Sequence, residues 1–278
     1  MTVRSLRAEL FALRRRPAVW IVAAGWTVQI ICFVYLITYL VYRAVAAQPE
    51  GSGSDSGPIL ADLLPASADH TIVGALPIWG GPVMLVLGAL IAGGDQRWGT
   101  LRTVLARFAD RTSFLLGRFL ALALLLLALS VLTLAVSAAS SVAVALVEGA
   151  AIRWPGPDRF LLALGSIWLI CTAWGMVGFV LALATRSLTA AVGAGLLWTL
   201  LVENAVTGLG GLVPLLGAVR TVQLSTSSGS VAAALGASGD GFGVAAVTSG
   251  PVAAGVLAGY VVLALLAALV IFRRRDLA

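Results

Sequence analysis

Few side chains here are suited to chemistry. The 278 residues include one histidine, His70, two cysteines, Cys32 and Cys171, and 18 basic residues, every one an arginine. Without lysine there is no Walker A loop, whose lysine reaches the β- and γ-phosphates of a nucleotide, and no Schiff-base amine. One histidine, in a loop-like stretch, gives no Ser/His/Asp constellation. No His, Cys or acidic group stands at metal-ligand spacing. The chain is not expected to be an enzyme or to hold a cofactor or metal of its own.

Two placements of charge stand out. Glu203 and Asn204 lie inside the apolar run Thr189–Leu209. At 1.5 Å per residue, Glu203 falls roughly 24 Å along a helix that starts at Ser187. An acid within a lipid-compatible helix is a candidate for substrate or proton handling. Equally, it reaches the far interface or bonds Asn204 or a neighbouring helix. Trp198 and Trp174, with Trp168, are candidates for lining an apolar route, although interface belts and packing also place Trp in such helices. The second placement is the insert Gly94-Asp95-Gln96-Arg97-Trp98-Gly99-Thr100-Leu101-Arg102, followed by Arg107, Asp110, Arg111 and Arg118. Asp95 would N-cap a helix after Gly93-Gly94. From there Trp98, Leu101, Val104, Leu105 and Phe108 recur at helical spacing, and Arg97, Arg102, Arg107 and Arg111 take the other faces. Gly99 permits close backbone approach. Such a helix either docks a partner protein or anchors itself to lipid, and its physics favours neither.

The elements around these residues belong in a membrane. With 60% hydrophobic and 11% charged residues, the chain has too little polar surface to coat a water-soluble globule, where charged residues make up about 25%. Apolar runs cover 18–42, 76–94, 119–147, 160–185, 189–209 and 251–272, each near or above the roughly 20 residues a spanning helix needs. Continuous Leu/Ala/Val runs exclude a barrel. The expected fold is an all-α integral membrane protein of six spans in a single transmembrane domain, 1–278. Most arginines (positions 4, 7, 14–16, 97, 102, 107, 111, 118, 186 and 273–275) fall on the side that carries both termini, so the positive-inside rule places both ends in the cytoplasm. Arginine beside anionic lipid accounts for the net charge of +6 without nucleic acid. The first run is too long for a signal peptide.

Residues 1–17 read as an amphipathic interfacial helix, with Val3, Leu6, Leu10 and Leu13 on one face. Arg43 to Ala75 reads as an external loop, with a short helix at Ile59–Leu64 and a solvated His70. Gly210–Gly217 is apolar but too short to span, a re-entrant segment before the last span. Ser225–Gly243 reads as a flexible Gly/Ser/Ala-rich loop. Cys32 and Cys171, both inside spans, read as small buried hydrophobes.

The stretch Ile91-Ala92-Gly93-Gly94-Asp95-Gln96-Arg97-Trp98-Gly99-Thr100-Leu101-Arg102-Thr103-Val104-Leu105, with Asp110-Arg111 and Leu116-Gly117-Arg118, resembles the permease subunits of ABC-2 type exporters. In that family an acid, an arginine and a Gly-Thr-Leu-Arg run follow the second span, and a basic residue opens the third. Asp95 stands where the family usually has Glu, and Arg118 where Lys is common. The resemblance implies a cytoplasmic coupling helix from Asp95 to about Ala109, with Asp95, Arg97, Trp98, Gly99, Thr100, Leu101, Arg102, Leu105 and Arg111 contacting a separate ATP-binding subunit. ATP and Mg would be bound by that partner. A second permease half, a copy or a different chain, would complete the path, gated near Leu209–Leu216. The lysine-free composition, heavy in Ala, Leu and Gly, suits a GC-rich bacterial genome, hence a bacterial cytoplasmic membrane. The competing expectations are a transporter driven by an ion gradient, disfavoured by the scarcity of intramembrane charge, and a non-transporting anchor.

Overall fold

The computed structural model describes residues 2–48, 55–97, 111–209, 213–238 and 243–273, and every regular element among them is helical. α1 (Thr2–Arg15) leads through Arg16 to α2 (Pro17–Gln29), a π-helical segment Ile30–Leu36 and α3 (Ile37–Ala46). After α4 (Gly57–Leu63), a 3₁₀ turn Pro65–Ser67, α5 (Ala68–Ala75), a π segment Leu76–Gly80 and α6 (Gly81–Arg97) follow one another. α7 (Arg111–Glu148) and α8 (Pro157–Thr185) are unbroken. α9 (Leu188–Leu197), a π segment Trp198–Glu203 and α10 (Asn204–Leu209) form one rod. The short helices α11 (Pro214–Arg220) and α12 (Leu224–Ala234) precede α13 (Gly250–Arg273).

Six helical stretches are long and apolar enough to cross a membrane: Pro17–Ala46, Pro65–Gly93, Thr112–Glu148, Pro157–Thr185, Leu188–Leu209 and Gly250–Phe272. This makes the chain a helical, multi-pass membrane protein. The second span begins at Pro65, well before the expected Leu76. Its breakers Pro77, Gly80, Gly81 and Pro82 are absorbed by the π segment and the first turn of α6 rather than ending the helix. His70 therefore sits on α5 instead of a solvated loop, half-buried, with Nδ1 at 3.0 Å from Asp69 Oδ1. The short helix foreseen at Ile59–Leu64 is α4, and its Leu63 is buried. α7 has 38 residues and so runs about 57 Å, far more than the roughly 30 Å hydrocarbon core. Part of its length must therefore stand outside the core.

Lipid tails are as apolar as leucine, so helices in a bilayer associate through close packing and hydrogen bonds. α6 and α8 meet through glycine. A methyl group on Gly88 would overlap the Gly175 carbonyl, and one on Gly178 would overlap the Leu85 carbonyl. Gly81 lies against the Trp174 ring and Gly195 against Leu85. Gly165 and Gly193, by contrast, have open space around them. Spans 1 and 5 lie outside this centre and turn many apolar side chains outward, among them Trp20, Ile21, Leu40, Leu197 and Leu201. The link between α8 and α9 is a tight turn. Arg186 takes a left-handed conformation (φ 56°), and Ser187 Oγ accepts from Ala190 N–H to cap α9.

Candidate functional site

Around the expected coupling segment, four helix ends converge. Trp98, Gly99, Thr100, Leu101, Arg102 and Leu105 lie outside the described residues, as does the rest of 98–110. Asp95 and Arg97 are described in backbone only, as the last turn of α6, and Arg111 likewise as the start of α7. Asp95 does not open a helix as expected, because α6 runs through Gly93-Gly94 to Arg97. Gly93 here serves approach, not breakage: a methyl there would lie 3.2 Å from Leu188 Cβ, at the start of α9.

α1 docks on the start of α7. Its buried stripe is Ser5, Glu9 and Leu13, one turn apart, with Leu6 and Leu10 half-buried beside it. The apolar face read from the sequence is thus rotated toward polar neighbours, and Phe11 points outward beneath the Arg15 guanidinium, 4.5 Å from its ring centre. Gly117 makes the approach possible, since a Cβ there would come within 2.5 Å of Ser5 Oγ. Ser5 Oγ donates to the Phe114 carbonyl at 3.5 Å. Two guanidinium groups then fasten α6 to its neighbours. Arg118, only 3% exposed, donates from Nη2 to the Ile91 carbonyl at 2.5 Å, and Arg16 Nη1 reaches the same oxygen at 3.4 Å. Cations near the C-terminal end of α6 also meet the favourable end of its dipole. Arg118 Nε stands 4.0 Å from Glu9 Oε1. Phe114 stacks on Phe272 at the end of α13, ring centres 6.3 Å apart.

The expected route residues divide. Trp174 is buried in the centre, its Nε1 donating to Ser228 Oγ at 3.2 Å. Glu203 is also buried, at 3% exposure. Trp198 faces outward. Asn204 is exposed and turns back on its own helix, donating to the Thr199 and Leu200 carbonyls rather than to Glu203. Trp168 donates to the Ala123 carbonyl at 3.0 Å. Glu203 Oε2 accepts from Ser225 N–H at 3.2 Å, which caps the N-terminus of α12.

α12 corrects the expectation of a flexible loop over Ser225–Gly243. Leu224–Ala234 folds as a buried helix closed by a Schellman turn: Ala237 N–H bonds the Ala232 carbonyl, Gly236 N–H bonds the Ala233 carbonyl, and Gly236 supplies the positive φ of 98°. The apolar segment before it is the exposed one, with Leu215 74% exposed on α11; positions 210–212 lie outside the described residues. Sequence reading also passed over Asp69 and Arg159. Arg159 Nε pairs with Asp69 Oδ2 at 3.0 Å, and its Nη2 donates to the Leu235 carbonyl at 3.2 Å. On the same end of the bundle, Tyr39 and Tyr42 hydroxyls and Arg43 all converge on Glu148, at 2.6, 3.2 and 3.3 Å. The signal for α12 was its run of small residues, which in a membrane protein marks helix contact.

Fold and geometry thus define a class, a helical membrane protein with six helices long and apolar enough to span. Scans against family models and against curated proteins match the chain to nothing.

Proposed function

We propose that this chain is the membrane-spanning permease subunit of an ATP-driven exporter and forms half of a translocation path. A separate ATP-binding subunit would bind and hydrolyse MgATP, and a second permease half, identical or different, would complete the path. The reading places the chain in a bacterial cytoplasmic membrane with both termini inside, on the distribution of its arginines.

One observation carries the reading: the bracket around 98–110. The end of α6, the start of α7, α1 and the end of α13 are fastened to one another within a few residues of that segment, through Ser5 on Gly117, Arg118 and Arg16 on the Ile91 carbonyl, and Phe114 on Phe272. A push on the segment would reach spans 2, 3 and 6 together. The exporter-like spelling from Ile91 to Arg118 and the absence of lysine point the same way, since the energy source would then lie in another chain. The test is capture of an ATP-binding subunit by the tagged full-length chain. Gly99→Trp and Arg102→Glu are each expected to abolish that capture while leaving the chain folded in the membrane. Undiminished capture by both variants would contradict the coupling assignment.

A further inference from the structure

α1 does not meet the membrane through its leucines. Leu6, Leu10 and Leu13 pack into the protein, and the face left outward carries Arg7, Phe11, Arg14 and Arg15, all exposed. Among the described residues, none of these three arginines has an acidic partner, whereas Arg16 and Arg118 turn inward to the Ile91 carbonyl.

The outward charge stands at an elbow. Pro17 keeps Arg16 extended (φ −83°, ψ 114°), which ends α1 and begins α2. Trp20, in the first turn of span 1, folds back across the elbow and donates Nε1 to the Arg14 carbonyl at 2.9 Å. That bond satisfies one of the carbonyls a helix end leaves open, and the Trp20 side chain stays 62% exposed. Phe11 lies under the Arg15 guanidinium. Stacking of this kind fixes the guanidinium plane and leaves its edge N–H groups free to fork onto an oxyanion. Beyond Trp20 the outer face of span 1 dips to small residues. Ala24 and Gly25 are exposed between Ile21 and Val28, and a Cβ on Gly25 would meet nothing within 4 Å. Guanidinium groups at the end of a span, a tryptophan at the boundary and an apolar strip beyond it follow the order of phosphate, glycerol and acyl chain in a phospholipid.

We propose that the α1–α2 elbow binds one anionic phospholipid. Arg14 and Arg15 hold the headgroup phosphate, Trp20 packs on the glycerol region, and an acyl chain lies along the strip at Ala24 and Gly25. The occupant is lipid rather than a soluble protein because Trp20, Ile21 and Gly25 belong to a helix long and apolar enough to span. A net negative headgroup is preferred, since a zwitterionic one would set an ammonium beside two unpaired guanidinium groups. The site goes beyond the transport reading and needs none of it.

Native mass spectrometry of the full-length chain in detergent, with graded phosphatidylglycerol, counts bound lipids one at a time. One tightly held phosphatidylglycerol is expected, with phosphatidylcholine clearly weaker. Arg15→Gln should weaken it about tenfold through loss of a charge-assisted pair. Arg15→Lys should fall between that variant and the parent, because an ammonium keeps the charge without the fork. Phe11→Leu should weaken binding about threefold by freeing the guanidinium. Arg153→Gln removes the same charge from an exposed loop and should change nothing. Gly25→Leu, for which the fold has room, should weaken binding by filling the strip. Inorganic phosphate at the lipid's concentration should not displace it. Equal weakening by Arg15→Gln and Arg153→Gln would mean diffuse charge and overturn the site, and so would displacement by inorganic phosphate. A dimer that Gly25→Leu turns into monomer, with phosphatidylglycerol binding unchanged, would give the strip to a second copy and equally overturn it.

Discussion

The centre of the bundle and its outer spans are built on different principles. α6 and α8 touch backbone to backbone where Gly88 meets the Gly175 carbonyl and Gly178 the Leu85 carbonyl, so that no side chain could be added at Gly88 or Gly178. Span 1 is held by separate hydrogen bonds, Trp26 Nε1 to Thr133 Oγ1 at 2.8 Å and Tyr35 OH to Ser137 Oγ at 2.6 Å, while span 5 packs on α6 where Leu188 meets Gly93 and Gly195 meets Leu85, and beyond that bonds through Glu203 to Ser225. Each of these two spans carries a π segment, and the segment includes the bonding residue, Tyr35 in one and Glu203 in the other. A π segment shifts the helical register and redirects a side chain, and it is common where proteins function. Contact through glycine fixes a spacing; contact through a few hydrogen bonds can be exchanged. The centre therefore reads as the fixed frame, and span 1 and the part of span 5 beyond Gly195 as the parts able to move against it.

Breaking the frame should have the largest effect. Gly88→Leu forces α6 and α8 apart against a backbone carbonyl, and overpacking without room to relax costs at least about 3 kcal/mol. The expected outcome is loss of monodisperse protein in detergent by gel filtration, and a normal elution profile would show the crossing to be looser than described. Next comes the bracket that ties the frame to α1. Arg118→Met removes a buried, charged donor from the Ile91 carbonyl and leaves Glu9 less compensated, which should cost about 2 kcal/mol. A clearly lowered Tm by scanning fluorimetry is expected. Tyr35→Phe tests the outer attachment. Ser137 keeps its bond to the Ala68 carbonyl, so the loss should be about 1 kcal/mol, with a smaller fall in Tm than for Arg118→Met. The reverse order would put span 1 in the frame. The smallest effect sharpens the comparison by touching neither region: Arg186→Gly relieves a left-handed residue in the exposed turn between α8 and α9 and should raise Tm slightly, by about 0.5 kcal/mol of stability.

The apolar spans were legible because lipid demands unbroken hydrophobic length, and 160–185 and 251–272 fall within a few residues of the observed helices. The start of span 2 was not legible. Asp69 and His70 look like loop residues until Arg159, far away in sequence, supplies the counter-charge that lets them enter a helix. α12 was hidden for a related reason: serine and threonine favour turns in water, while here Ser228 Oγ folds back onto the Leu224 carbonyl at 2.7 Å and satisfies itself within the helix. The contact at Gly88 was not legible either, because its place in the crossing depends on where α8 lies. Of the candidate route, Glu203 stood out as an acid in an apolar run with its surroundings left open, and its partner Ser225 belonged to an element the sequence did not announce.

The central claim is that another subunit's nucleotide hydrolysis moves this chain through 95–109. Vesicles holding the chain together with the ATP-binding subunit it captures test it most directly, with export followed on addition of MgATP. Nucleotide-dependent export that disappears in Arg102→Glu, with the chain still folded, is the predicted result. Export by the chain alone, without nucleotide or a second protein, would contradict it.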